Sequence, residues 1–470
     1  MVKSMEKKRN SFGGSIGFVL AAAGSAVGLG NLWRFPYLAA KDGGGLFLVV
    51  YIILVLTFGF TLLTTEIAIG RRTKQSPLTA YKAINKKSGF LGYLAAIIPM
   101  MILPYYCVIG GWVTKYLVVY CTGAGTVAAD TSYFTGFLSG ITQPIVFLCI
   151  FLALCAVIVV RGVDKGIERM SKFLMPVLLL FILVISVFSL TIKSEGSDGV
   201  VRSGFDGLKV YLIPDLNSLT FSKLLITVVD AMGQMFYSLS VAMGIMIAYG
   251  SYVPDDANLV KSINQIEMFD TVVAFLAGVM IIPSVFVFMG REGMEASGPG
   301  LMFVSLPQVF HSMGKAGTFV AILFFAMVLF AALTSAVSIM EAVVSSVIDK
   351  FGFSRIKAVI IETVIALGVG IVVCIGYNLM YFEFKPPNGT IAQVLDILDY
   401  ISNYCLMPIV SIGTCILIGW IMKPDYVIDE VEKSGVKFSR RTLYIIMIRF
   451  VAPAMLVVLL LQALGLFSLK

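Results

Sequence analysis

The chain has 470 residues, 59% of them hydrophobic and 13% charged, with a mean hydropathy of +0.95 and a formal net charge of +8. Soluble proteins carry about a quarter charged residues, so soluble domains are excluded and a polytopic membrane bundle is expected. The seven cysteines fall mostly in apolar runs with no C-x-x-C pair, and there is one histidine, His311, so neither a disulfide framework nor a zinc site is expected.

In chain order, Met1 to Asn10 is basic and polar, and the first apolar run lacks a small-residue cleavage site, so it is expected to persist as a first span. Windows of about 20 apolar residues place eleven spans at 14–39, 45–69, 90–121, 144–160, 168–191, 222–250, 264–290, 317–347, 358–378, 391–421 and 443–467. With residues 1–13 cytoplasmic, most Lys and Arg fall on the inner side, in Lys7-Lys8-Arg9, Arg71-Arg72-Thr73-Lys74, Arg161 to Lys172 and Arg440-Arg441. This bias orients the chain in a plasma membrane, amino terminus inside and carboxyl terminus outside, and it is not a nucleic-acid patch.

The first span interrupts itself. In Ala21-Ala22-Ala23-Gly24-Ser25-Ala26-Val27-Gly28-Leu29-Gly30-Asn31-Leu32-Trp33-Arg34-Phe35-Pro36, three glycines fall at mid-depth and Asn31 and Arg34 follow. Unpaired peptide groups in hydrocarbon cost several kcal/mol each, so a broken helix survives only where something satisfies it. Freed carbonyls suit a small cation and freed N–H groups an anion. The sixth span breaks likewise, through Gln234-Met235-Phe236-Tyr237-Ser238-Leu239-Ser240-Val241-Ala242-Met243-Gly244. Breaks in the first and sixth of ten spans predict an all-α membrane protein of two inverted five-helix repeats, 14–191 and 222–421. An extracellular connection (192–221), a cytoplasmic loop (422–442) and an eleventh helix (443–467) complete it. No metal cluster, activated nucleophile or phosphate loop stands out, so no enzyme and no organic cofactor are expected.

The string from Gly24 through Gly-Leu-Gly-Asn-Leu-Trp-Arg-Phe-Pro-Tyr37 to Asp42-Gly43-Gly44-Gly45 resembles the neurotransmitter:sodium symporter family. The resemblance runs over nearly the whole chain, six motifs in order, and is closest to short bacterial amino-acid transporters. It implies Na⁺-coupled uptake by alternating access with two sodium ions. The first would take the Ala26 carbonyl, Asn31, Ser238 and Asp270, an all-oxygen set for a hard cation. The second would take carbonyls of Gly24, Val27 and Ala331 with the hydroxyls of Thr334 and Ser335. Taken alone, those hydroxyls could instead bond back to their own helix. A substrate carboxylate would meet N–H groups around Gly28, Leu29 and Gly30 and the Tyr106 hydroxyl. Its amine would meet Ala26, Tyr237 and Ser238, with Ser240 and Ser335 nearby, and its side chain would lie among Ile102, Tyr237, Met243 and Ile339.

The resemblance also implies an outer gate, Arg34 with Asp399 above Tyr106 and Tyr237, and an inner gate, Arg9 with Asp349 near Tyr252. Glu66 is expected to accept N–H bonds from the sixth-span break. Chloride-dependent relatives carry Asn at the position of Asp270; its fixed charge, with Ala274 one turn on, implies chloride independence. Three positions depart from the pattern: Met243 for Phe, Ala242 for Gly and Phe12 for Trp. The first favours a larger apolar or aromatic L-amino acid, since a thioether repacks around varied shapes. The alternatives are a non-transporting amino-acid receptor and a proton-coupled carrier of the same fold. Expected partners are the small substrate and the lipid bilayer, with no obligatory protein partner.

Overall fold

The computed structural model describes residues 11–195, 199–214, 219–295, 298–387 and 392–466. The chain forms a bundle of long apolar helices. The first segment is α1 (Ser15–Ala26) and α2 (Gly30–Lys41), bent by 53° at the break between them. Then come α3 (Gly45–Thr73), α4 (Lys86–Cys121), α5 (Thr142–Val160) and α6 (Val163–Thr191). The sixth predicted segment is two pieces, α7 (Phe221–Ser238) and α8 (Ile245–Gly250). The rest are α9 (Leu259–Met289), α10 (Lys315–Phe351), α11 (Arg355–Ile375), α12 (Val394–Ile421), the short α13 (Asp425–Glu432) and α14 (Arg441–Ala463). Among the described residues nine helices are long and apolar enough to cross a membrane, ten counting α1 with α2 as one span. The chain is therefore a multi-pass membrane protein.

One departure from an all-α reading lies in the 192–221 connection, where β1 (Lys193–Glu195) pairs antiparallel with β2 (Val201–Ser203). A hairpin is possible there because the connection lies outside the apolar windows, where the bilayer does not dictate the backbone.

The core is built around α1. It packs against α9, α10 and α6, while α4 lies along α10. Prolines at 99 and 104 are carried inside α4, 176 inside α6 and 283 inside α9. Two glycines bring α3 and α8 into backbone contact. A Cβ on Gly70 would lie 2.0 Å from the Ile247 carbonyl oxygen, and one on Gly250 would lie 2.4 Å from that of Ile67. Neither position has room for a side chain.

At the end of the bundle that carries residue 12, the long α3 runs on to meet α13. Arg71, 0% exposed, donates through Nε to Glu430 Oε1 at 2.6 Å, through Nη1 to the Ala257 carbonyl at 2.8 Å, and to the Glu430 carbonyl. Beside it Asp255 receives Lys74 at 2.7 Å and Lys433 at 2.8 Å. Hydrogen bonds from Lys433 and Lys74 hold its carboxyl down to about 2. A depressed carboxyl contributes stability above its ordinary range, so this tie holds at neutral pH and is lost as the pH falls through about 2.

Candidate functional site

The two breaks face each other at the centre of the bundle. On the α7–α8 side Ser240, Ala242 and Gly244 take left-handed backbone angles, φ 53°, 65° and 72°. Alternating such residues with extended ones unwinds the chain and frees peptide groups. Glu66 of α3 accepts one of them, the Ala242 N–H, at 2.6 Å, as the sequence predicts. On the α1–α2 side Gln234 donates to the Gly30 carbonyl at 3.1 Å, which also takes the Phe35 N–H, and Ser240 donates to the Ser25 carbonyl at 3.0 Å. The first break is thus stitched by side chains of the sixth segment, and the sixth-segment break by Glu66 of α3.

Between them lies a small cavity, about 20 Å³, lined by Ser25, Ala26, Gly28, Leu29, Gly30, Asn31, Ile102, Tyr106, Tyr237, Ser238, Ser240, Met243, Ser335 and Ile339. Every predicted substrate residue is in that lining. Tyr106 Oη accepts from the Leu29 N–H at 3.5 Å. Space of this size holds about one water, so an amino acid needs the lining to open.

Asp270, 0% exposed, anchors one end of the cavity. Its Oδ1 accepts from Asn31 Nδ2 at 2.8 Å and from the Ser238 hydroxyl at 2.9 Å, and its Oδ2 from the Tyr51 hydroxyl at 3.2 Å. Three donors on two oxygens is the environment of an ionised carboxylate. Of the predicted first-ion ligands, Asn31 and Ser238 line the cavity with Ala26 and both bond Asp270 behind them.

Below it, Ser335 Oγ reaches across from α10 to three break carbonyls: Gly24 at 3.4 Å, Ser25 at 3.1 Å and Val27 at 3.3 Å. One hydroxyl hydrogen cannot satisfy three carbonyls at once, which leaves acceptor capacity of the kind a hard cation would use. Thr334 bonds back to its own helix, to Phe330 and Ala331 at 3.0 Å each. The back-bonding alternative thus holds for Thr334, and Ser335 turns to the break. Gly24, Val27, Ala331, Thr334 and Ser335 are brought together.

The outer gate differs from the expectation. Arg34 and Asp399 do not pair among the described residues. Asp399 Oδ1 is taken by the Tyr105 hydroxyl at 3.0 Å and by Asn403 Nδ2 at 2.5 Å, and the Arg34 guanidinium lies 5.9 Å from the Tyr404 ring centre. In this conformation the Asp399 carboxylate is held by neutral donors. Arg34, Tyr237, Asn403 and Tyr404 line a second cavity of about 190 Å³, which shares Tyr237 with the first.

At the opposite end Phe12, 2% exposed, packs edge-on against Tyr249 and Tyr252 with ring centres at 5.7 and 6.3 Å. An aromatic latch therefore stands where Trp was expected. Asp349 accepts the Ser76 N–H at 2.7 Å; Arg9, its predicted partner, lies outside the described residues. The Tyr252 hydroxyl donates to Glu341 Oε1 at 2.7 Å, and Arg355 binds both oxygens of Glu341 at 2.7 Å. Sequence reasoning missed Glu341, Arg355, Tyr51 and Gln234. For Glu341 the signal was present: an acidic residue inside a long apolar helix needs a partner.

A sequence profile described as the sodium:neurotransmitter symporter family matches residues 9–128 and 137–469. The chain belongs to this family of sodium-dependent symporters. Among relatives of this symporter, the uncharacterized sodium-dependent transporter YhdH of Bacillus subtilis (strain 168) is 32% identical over 98% of this chain and 99% of its own. The human sodium- and chloride-dependent taurine transporter is 28% identical over 90% of this chain and 73% of its own. The solved structure of MhsT in complex with L-phenylalanine superposes with a TM-score of 0.84 at 33% identity, covering 97% of this chain and all of MhsT. The symporter thus shares the fold of a carrier seen with an amino acid bound, and its relatives are transporters.

Proposed function

We propose that this symporter imports a hydrophobic or aromatic L-amino acid with two sodium ions, independently of chloride. The observation that carries the reading is the juxtaposition of two unwound segments around Asp270 and Ser335, with an apolar wall of Ile102, Met243 and Ile339. Asp270 brings its own negative charge to the first ion, and Ala274 offers no hydroxyl for a halide. MhsT, of the same fold, binds phenylalanine. The positive-inside bias places the residue 12 end in the cytoplasm, with the carboxyl terminus outside.

Binding follows from linkage. Sodium and zwitterion share the Asp270 end of the cavity, so each raises the other's affinity. A sodium ion crossing the full field gives about 2.3 kcal/mol per 100 mV, enough to concentrate a neutral zwitterion. The second ion touches no substrate atom in this reading, so its departure can precede release. The test is uptake of labelled phenylalanine into proteoliposomes under a sodium gradient, with competition by all twenty amino acids in chloride and gluconate. Binding without counterflow, or uptake that ignores sodium, sinks the proposal.

Two substitutions probe it. Ser335→Ala removes the hydroxyl among the three carbonyls and is expected to raise the sodium concentration for half-maximal uptake by about tenfold, the value of one hydrogen bond to a charged group. Unchanged sodium dependence removes the second site. Met243→Phe fills the apolar wall and is expected to shift preference towards smaller side chains by about tenfold, the discrimination of one or two methylenes. An unaltered competition order takes Met243 out of the pocket.

A further inference from the structure

Helix α9 carries a second buried carboxylate, which neither proposed sodium site uses. Glu267 is 2% exposed, and neither of its carboxylate oxygens has a hydrogen-bond partner among the described residues. The nearest cation is Arg440, just ahead of α14, whose Nη1 stands 3.6 Å from Oε2. That guanidinium is committed elsewhere: Nη2 donates to Asn264 Oδ1 at 2.9 Å, Nη1 donates to the Leu56 carbonyl at 3.3 Å, and its carbon lies 4.2 Å from the Phe60 ring centre. An ionised carboxylate buried beside a guanidinium draws it into bonded contact at about 2.8 Å, and one left unpaired takes up a proton instead. Here the arginine stands off and is satisfied by neutral acceptors. The arrangement is that of a neutral acid.

We propose that Glu267 is a proton-binding site, set between α3, α9 and the start of α14, whose occupancy decides where Arg440 is held. With the proton on, Arg440 stays on Asn264 and Leu56. With the proton released to water, the carboxylate captures Arg440, which leaves the Leu56 carbonyl and draws the start of α14 towards α9. The groups facing Glu267 leave few alternatives. From α3 come Phe60 and the Leu56 carbonyl, neither titratable, and Tyr51 further along is committed to Asp270. Arg440 comes from just ahead of α14, and from α14 itself comes Tyr444, whose hydroxyl is shared with Thr65 at 2.8 Å. From α9 itself comes Asn264. The Arg440 side chain is 27% exposed and links the carboxyl to the surface of the bundle. None of this depends on which cargo the protein carries.

The test is infrared difference spectroscopy of the purified full chain between acid and alkaline pH, which reads carboxyl protonation without transport. Other buried carboxyls, Glu66 and Glu362 among them, contribute to the same spectral region, so the wild type is expected to show a protonated-carboxyl component that disappears on alkalinisation and is lost specifically in Glu267→Gln, which mimics the neutral acid. In Arg440→Gln the same band is expected to persist about one pH unit or more higher, because the cation favouring the ionised form is gone. Coincident wild-type and Glu267→Gln spectra overturn the proposal. So does an unmoved midpoint in Arg440→Gln, which decides the matter alone if Glu267→Gln cannot be recovered folded.

Discussion

Replacing Asp270 by alanine is expected to weaken sodium-dependent amino-acid binding by about 100-fold or more. The carboxylate holds Asn31 and Ser238 on one oxygen and Tyr51 on the other, all within 3.2 Å. A hydrogen bond to a charged group is worth about 1.5–3 kcal/mol, and removal orphans three buried donors while deleting the charge that faces the first ion. Sodium titration of ligand binding in detergent is the measurement; an affinity within a few-fold of wild type would remove Asp270 from the ion site. Asparagine separates charge from shape. Asp270→Asn keeps an acceptor for these donors but lacks the anion, so its sodium affinity should still fall by about tenfold, the worth of about one charged hydrogen bond. Adding Ala274→Ser then supplies a hydroxyl for a halide, and uptake by the double variant should depend on chloride when compared in chloride and gluconate. Indifference of the double variant to the anion would show that charge balance is not what Asp270 provides.

Arg71→Met is expected to destabilise the fold by about 3–5 kcal/mol, the effect of leaving one member of a buried ion pair alone. Arg71 is 0% exposed and Glu430 is 5% exposed, and the same guanidinium also holds the carbonyls of Ala257 and Glu430. The double variant Arg71→Met with Glu430→Met should recover most of the loss, since an apolar pair of similar volume needs no counter-charge. Thermal unfolding in one detergent reads both. A single variant that melts with the wild type would mean that water already reaches Glu430.

The sequence made the breaks legible because glycines, hydroxyls and an amide inside an apolar run have few other uses. The resemblance to the family then placed Asn31, Ser238 and Ser335, and aimed Glu66 at the sixth-segment break. What it could not carry was direction. Tyr51 and Gln234 taken alone are compatible with helix packing, and only the crossing of α3 and α7 over the breaks turns them onto Asp270 and Gly30. That Arg34 and Asp399 are not bonded to each other in this conformation was unreadable for a related reason. Charge complementarity is visible in a sequence, but competition from Tyr105 and Asn403 for the same carboxylate is local geometry. The hairpin at 193–203 was missed because strands of three residues give too short a pattern for period-two reading.

The contacts at Gly70 and Gly250 bear on how the molecule can move. Carbonyl oxygens occupy the places where side chains would begin, so α3 and α8 interlock like gear teeth and cannot slide past each other without a backbone collision. A swing of the half-helix beyond the sixth-segment break is therefore expected to carry α3 with it, and with it Glu66, which bonds the Ala242 N–H. The flexing has to occur elsewhere, on the far side of the unwound residues.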